Sequence, residues 1–450
     1  MKEINLKVLL MKKWHWVVLG LLSIMLAPLA IHRLVADYWM GHYENDFLNY
    51  YDAATRWLAG GNLYAVEQGF IYPPPAVLLF VPLTVLSCHS AYIVFSALSY
   101  FFLIAAITVT MGLFQRSDFT SLFPHRGEVP PINSWSFCCP MLVFWMILSL
   151  ALAPTFENAA WGQVNTLVLL CSVVFFWLWA RNRPLLAGLV LAAGTWIKVY
   201  PALLLWVVVL GVWRLRQLPA GRPPVPFGEV RRVFSNPSFR AISGFGLGLL
   251  LIPLLLLPWL SPGTYHDFFA QVLPGASGII KPRIMNQSFI GAMGRWSLGP
   301  VDTLLNTRIP MSVWIDATNK ILLVAVLVGL WWWCRGRPPG RILCAKVFLL
   351  ACIPVFSPLG WCYVYVLTYP LIFLAIITAQ TWLQKSLVLA GILAFTIPAH
   401  HVIPGAHHMP LIVQHLLYSR YLPATVLLVL VVLWTERVSL ETEATIKRNQ

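Results

Sequence analysis

The sequence predicts an all-α polytopic membrane protein, and three observations lead to it. Of the 450 residues, 59% are hydrophobic and 10% charged, more apolar surface than a soluble core can cover. Uncharged runs such as WHWVVLGLLSIMLAPLAI, VFSALSYFFLIAAITVTMGLF and ATVLLVLVVLW recur along the chain, approaching or reaching the length that crosses a bilayer. The net charge of +15 sits largely in short loops between these runs, where it reads as a topology signal and not as a nucleic-acid footprint. Anionic headgroups are its second reading.

Taken in order, spans are expected near 14–36, 90–114, 137–153, 166–180, 184–197, 200–213, 241–260, 316–334, 343–356, 361–379, 384–397 and 422–435, about twelve in all. The first follows Lys2, Lys7, Lys12 and Lys13 and runs straight into an acidic loop, so it is a retained span and not a cleaved leader. The stretch 74–87 opens on Pro73, Pro74 and Pro75 and contains Pro82; it is expected to dip into the interface without crossing, since proline is tolerated only at a helix start and kinks the interior. Counting it as a span would put loop 214–240, with its six arginines, on the wrong side. Both termini are then cytoplasmic. Residues 1–450 are expected to form one integral-membrane domain, with an external acidic loop 37–73 carrying interfacial helices, a large external loop 261–315 and a basic cytoplasmic loop 214–240. The eight cysteines lie mostly in apolar segments, without metal spacing or need of disulfides.

This topology gathers unusual polar groups on the outer face of a plasma membrane. Glu44, Asp46, Asp52 and Glu67 crowd the first loop. Asp52 and Glu67 read as a solvated face. Asp46, flanked by Phe47, Tyr50 and Tyr51, is a carboxylate pinned at the interface and partly desolvated, which suits either a base or a structural acid. Lys198 stands in GTWIKVYP, either snorkelling to headgroups or binding a phosphate. Arg283 and Arg295 offer guanidinium groups that match phosphate oxygens, or are ordinary surface charges. Gln163, Asn165, Asn286, Gln287 and Ser288 are amides and a hydroxyl suited to sugar hydroxyls or to capping loop backbone. His400, His401, His407, His408 and His415 lack helical i, i+4 spacing with a glutamate and are interrupted by proline, so a pH-sensitive loop is expected before a metal site.

These residues together resemble the polyprenol-phosphate-sugar-dependent glycosyltransferases of family 87. The resemblance rests on Asp46, Phe47, Tyr50, Tyr51 and Ala53, then Gly61, Tyr64, Tyr72, Pro73 and Pro74. It continues through Gly162-Gln163-Val164-Asn165, Lys198 with Pro201, Asn286-Gln287-Ser288 before Arg295, and Ser357-Pro358 with Trp361, covering about residues 40 to 370. It implies a GT-C-type fold and inverting transfer of mannose or arabinofuranose from a polyprenyl phosphate to a lipid or glycan acceptor outside the cell. Asp46 is then the catalytic base; Lys198 and Arg295 meet the donor phosphate; Tyr50, Gln163, Asn165, Asn286, Gln287, Trp361 and Tyr363 contact substrate. No cofactor or metal is implied. Where many members carry histidine, this chain has Cys362 and Tyr363, and Tyr363 keeps a hydrogen bond but carries no positive charge at neutral pH. The rival classes are a transporter or flippase of lipid-linked sugars, which places ionisable groups at midplane along a pathway, and a non-catalytic membrane scaffold.

Overall fold

A computed structural model describes residues 24–32, 46–65, 69–114, 135–208, 236–298, 307–335, 339–399 and 408–449. They are almost entirely helical: α1 (Asp46–Leu58), α2 (Cys88–Phe114), α3 (Trp135–Ala151), α4 (Ala153–Ala160), α5 (Asn165–Ala180), α6 (Pro184–Ile197), α7 (Pro237–Leu256), α8 (Phe289–Leu298), α9 (Val313–Cys334), α10 (Pro339–Phe356), α11 (Tyr369–Thr378), α12 (Trp382–Thr396), α13 (Leu411–Tyr418) and α14 (Tyr421–Asn449). Four are long and apolar enough to cross a bilayer, namely α2, α7, α9 and α14 as far as Val438; six further apolar stretches are shorter. Along α9 only Asn319, Leu330 and Cys334 are buried, while Trp314, Ile321, Val324, Val328 and Trp332 are exposed. An apolar helix whose large side chains face outward has lipid for its partner; the chain is a membrane-embedded α-helical protein.

At the centre α5 packs against α2 on one side and α6 on the other, with α7 laid against α6. The α6–α7 contact is close because both helices present glycine. A Cβ on Gly188 would strike the Ala241 carbonyl and the Phe245 nitrogen, and one on Gly244 the Leu185 carbonyl. Small residues permit such approach where lipid tails offer no hydrophobic force to drive helices together. A second group, α11, α12 and α14, joins this one through a 3-10 segment, Cys362–Thr368, whose seven residues are all buried.

Two parts depart from expectation. FENAA, whose polar residues read as part of a connection between spans, is helical: α3 bends by 63° into α4, and all eight residues of α4 are buried. Its glutamate, Glu157, accepts from the Ala399 amide at 2.7 Å, and Thr155 bonds Tyr369 at 2.7 Å, which fixes α4 to the second group. The dipping segment forms two 3-10 turns, Pro74–Leu79 and Val81–Val85, in place of an α-helix, because its prolines remove amide donors. The stretch 261–315 also contains a two-stranded antiparallel ribbon, β1 (Ile279–Ile280) with β2 (Ile309–Pro310). Glu44, Glu67, His400, His401, His407 and most of loop 214–240 lie outside the described residues. His415 stands on α13, stacked on Trp296 at 5.3 Å and buried.

Gly188→Val or Gly244→Val is expected to lower the apparent melting temperature of the solubilised protein by roughly 5 °C or more. Gly246→Ala, which meets no atom within 4 Å, is the control and should leave it unchanged.

Candidate active site

The site is assembled from helix ends. Helix α1 begins at Asp46 and buries Phe47, Tyr50, Ala53 and Ala54, the spacing of one helical face. Asp46 in its first turn and Arg56 in its last both suit the helix dipole. The helix stops where Gly60, at φ 79°, lets the Gly61 amide turn back to the Arg56 carbonyl at 3.0 Å. Phe47 is fully buried against Phe80, Tyr92 and Phe95, with ring separations of 6.3, 5.6 and 5.5 Å; such aromatic pairs each add about 0.5–1.5 kcal/mol beyond the area they bury. Anchored this way, α1 presents Asp46 to the start of α5.

The turn between α4 and α5 completes the contact. Gly162 adopts φ 61°, a left-handed conformation open to glycine, and any side chain there would run into Phe47. That turn places Gln163, fully buried, between four partners. Its amide nitrogen donates to Asp46 Oδ2 at 2.5 Å and to the Tyr50 hydroxyl at 2.8 Å. Its amide oxygen accepts from Tyr72 at 2.7 Å and from Lys198 Nζ at 3.2 Å. Lys198, at the extended end of α6, also donates to Asn165 Oδ1 at 2.9 Å, which Tyr200 bonds at 2.5 Å. The remaining Asn165 donor goes to Asn158. Tyr363 closes the ring by donating to Asp46 Oδ2 at 3.2 Å.

Asp46 and Lys198 are half-buried, accessible at one point and ringed by protein elsewhere. Burial raises the Asp46 carboxyl above its usual value, opposed by the Lys198 charge and the Tyr363 hydrogen bond. Burial pushes the Lys198 ammonium down to about 7, opposed by Asp46. The rings of Tyr72, Tyr200 and Tyr363 lie 4.9, 5.5 and 5.8 Å from Nζ, which supports its charge in a dry setting. Carboxylate and ammonium are thus coupled through one amide without touching.

Of the sequence candidates, Asp46, Tyr50, Gln163, Asn165, Lys198 and Tyr363 meet here, and Trp361 lies beside Tyr363 at 6.4 Å between rings. Three further candidates bond elsewhere. Arg295 is fully buried and donates to the carbonyls of Pro282, Arg283 and Asn286 and to the Ser419 hydroxyl; these bonds clamp the loop. Asn286 spends its amide on the Lys281 and Pro358 carbonyls and on Ser288. Gln287 bonds Ile284, Tyr418 and Tyr421. Both hold backbone, because buried carbonyls must be satisfied. Tyr72, Tyr200 and Asn158 were not chosen as site residues; Tyr72 in YPPP and Tyr200 two positions beyond Lys198 were the available signals.

A carboxylate and a lysine joined in this way, inside a bundle of lipid-facing helices, define a membrane-embedded group-transfer enzyme. The chain belongs to glycosyltransferase family 87, whose sequence profile matches residues 70–358; Asp46 and Tyr363 lie just beyond that stretch. It is 23% identical over 369 residues to a polyprenol-phosphate-mannose-dependent α-(1-2)-phosphatidylinositol mannoside mannosyltransferase of Mycobacterium tuberculosis, covering 78% of this chain and 74% of that one. It is 24% identical over 363 residues to the protein of the same description from Mycolicibacterium smegmatis, covering 75% and 70%.

Lys198 is expected to titrate near 7 when followed by NMR after reductive ¹³C-methylation. Asp46→Asn removes the one charge holding that value up, so the Lys198 signal should then titrate lower still.

Proposed function

We propose that this protein transfers a sugar, mannose or arabinofuranose, from a polyprenyl-phosphate donor to a lipid or glycan acceptor, with inversion, at the extracytoplasmic edge of the plasma membrane. The reading includes a single GT-C-type membrane domain over 1–450, about twelve spans with cytoplasmic termini, and no metal or cofactor. The basic loops support the orientation, and the family and its relatives support the donor class.

The observation that carries the mechanism is the unequal state of the two Asp46 oxygens. Oδ2 accepts from Gln163 and Tyr363; among the described residues no hydrogen bond reaches Oδ1, which is then the acceptor for a substrate proton. The acceptor hydroxyl attacks the anomeric carbon as its proton passes to Oδ1. The bond from that carbon to the phosphate oxygen breaks, and its electron pair leaves with the polyprenyl phosphate. Burial keeps the carboxyl basic, while the two donors hold it anionic before the step. Lys198 uses two of its three N–H groups on Gln163 and Asn165 and lends positive potential, in a poorly hydrated site, to the charge that builds on the phosphate. Tyr50, Gln163 and Asn165 fix this geometry, and Trp361 with Tyr363 offers a surface for a sugar ring.

Asp46→Asn should leave membrane insertion intact and reduce transfer from a radiolabelled polyprenyl-phosphate sugar roughly a hundredfold or more; a variant with full turnover would remove Asp46 from the mechanism. Tyr363→Phe withdraws one donor from the carboxylate and so raises its pKa. The acidic limb of the kcat/KM profile should move to higher pH, with activity recovering at alkaline pH, when initial rates are measured across pH.

A further inference from the structure

The β1–β2 ribbon carries a pair of like charges next to this site. One step beyond the paired Ile280 and Ile309, Lys281 and Arg308 stand opposite each other. Like charges brought together at the end of a strand pair repel, and an anion bound between them would relieve that repulsion. Ion pairs among the described residues involve His266 with Asp267 and Lys320 with Asp316, neither of them on the ribbon. The acid acting on Lys281 is Asp46; burial comes first, then Arg308 and Arg283, in depressing its ammonium.

The position of Lys281 is defined by an aromatic floor. Its Nζ lies 5.8 Å from the Trp361 ring, Trp361 lies 6.4 Å from Tyr363, and Lys198 stands 5.8 Å from Tyr363 at the other end. Two rings therefore link the two lysines, and Asp46 feels the charge of both. The end with Lys198 is also the end that holds the base, since Gln163 ties Lys198 to Asp46 and Tyr363 touches Asp46 directly. Displacement with inversion needs nucleophile and leaving group on opposite sides of the anomeric carbon. A leaving phosphate cannot then be seated mainly on the cation bound into the base's own cluster.

We propose that Lys281 and Arg308 form the seat of the donor's phosphate, with the sugar lying over Trp361 and Tyr363 and its anomeric carbon toward Asp46. The assignment rests on the transferase reading above. It gives the departing phosphate one compact ammonium and one guanidinium that stays charged at every working pH. It also assigns Trp361 its role, as the surface between phosphate and base.

The test uses purified full-length enzyme with a short-chain polyprenyl-phosphate sugar, and the sugar-free polyprenyl phosphate as competing product. In Lys281→Ala/Arg308→Ala, the donor KM and the inhibition constant of polyprenyl phosphate should each rise about tenfold or more, with acceptor KM within twofold. Lys281→Arg should restore most of the loss, and Arg308→Ala alone, at an exposed position, should show the effect without disturbing the fold. Unchanged product inhibition in the double variant would overturn the proposal, as would a matching rise in acceptor KM, which assigns the ribbon to an acceptor phosphate. Repeating the assay in bilayers with and without anionic lipid separates the remaining source. A defect seen only with anionic lipid assigns the ribbon to headgroups and overturns the proposal. The transferase reading fails separately, if the wild-type protein neither turns over the donor nor binds polyprenyl phosphate.

Discussion

The structure around the site depends on one side-chain amide. Gln163 donates to Asp46 and Tyr50 while accepting from Tyr72 and Lys198, and among uncharged side chains only asparagine, which is shorter, also offers two donor hydrogens beside a two-fold acceptor oxygen. Through it an acid and a base communicate at a distance, each partly buried and neither neutralised by direct contact. A direct ion pair would hold both charges in a mutual grip that a substrate must break. Everything nearby serves to place that amide: the bend from α3 into α4, the left-handed Gly162, and the aromatic anchor of Phe47.

The supporting frame is built from helices packed side by side, with the polar groups gathered near their ends. Apolar helices in lipid gain little from further burial, so close approach through glycine at Gly188 and Gly244 and hydrogen bonds between segments supply the cohesion. The buried Glu157, bonded to the Ala399 amide, is of this kind. The polar network therefore stabilises the architecture as well as shaping the site, and its members sit at helix termini where backbone groups already lack partners.

Much of this was legible in the sequence. The apolar helices follow from run length and composition, and Asp46, Gln163, Asn165 and Lys198 stood out as polar groups in oily surroundings. Other features left no readable trace. FENAA looks like a loop because its glutamate and asparagine are polar, yet both are paired inside. The ribbon has two residues per strand, too short for any alternation to register. Asn286, Gln287 and Arg295 have the same chemistry as sugar- and phosphate-binding groups; only the carbonyls around them, set by tertiary contacts, decide that they hold backbone. Tyr72 and Lys281 acquire meaning from what lies opposite them in space.

The bonds of the loop beyond α7 bear on how the protein comes into being. Gln287 reaches the Tyr418 carbonyl and the Tyr421 amide, and Arg295 reaches Ser419, so a loop laid down midway through synthesis waits for the last helical hairpin before its own polar atoms are satisfied. The aromatic floor is held to the same loop by the Cys362 amide on the Met285 carbonyl at 2.7 Å. A chain without α13 and α14 would therefore carry every reactive residue while lacking the bonds that hold this loop in register.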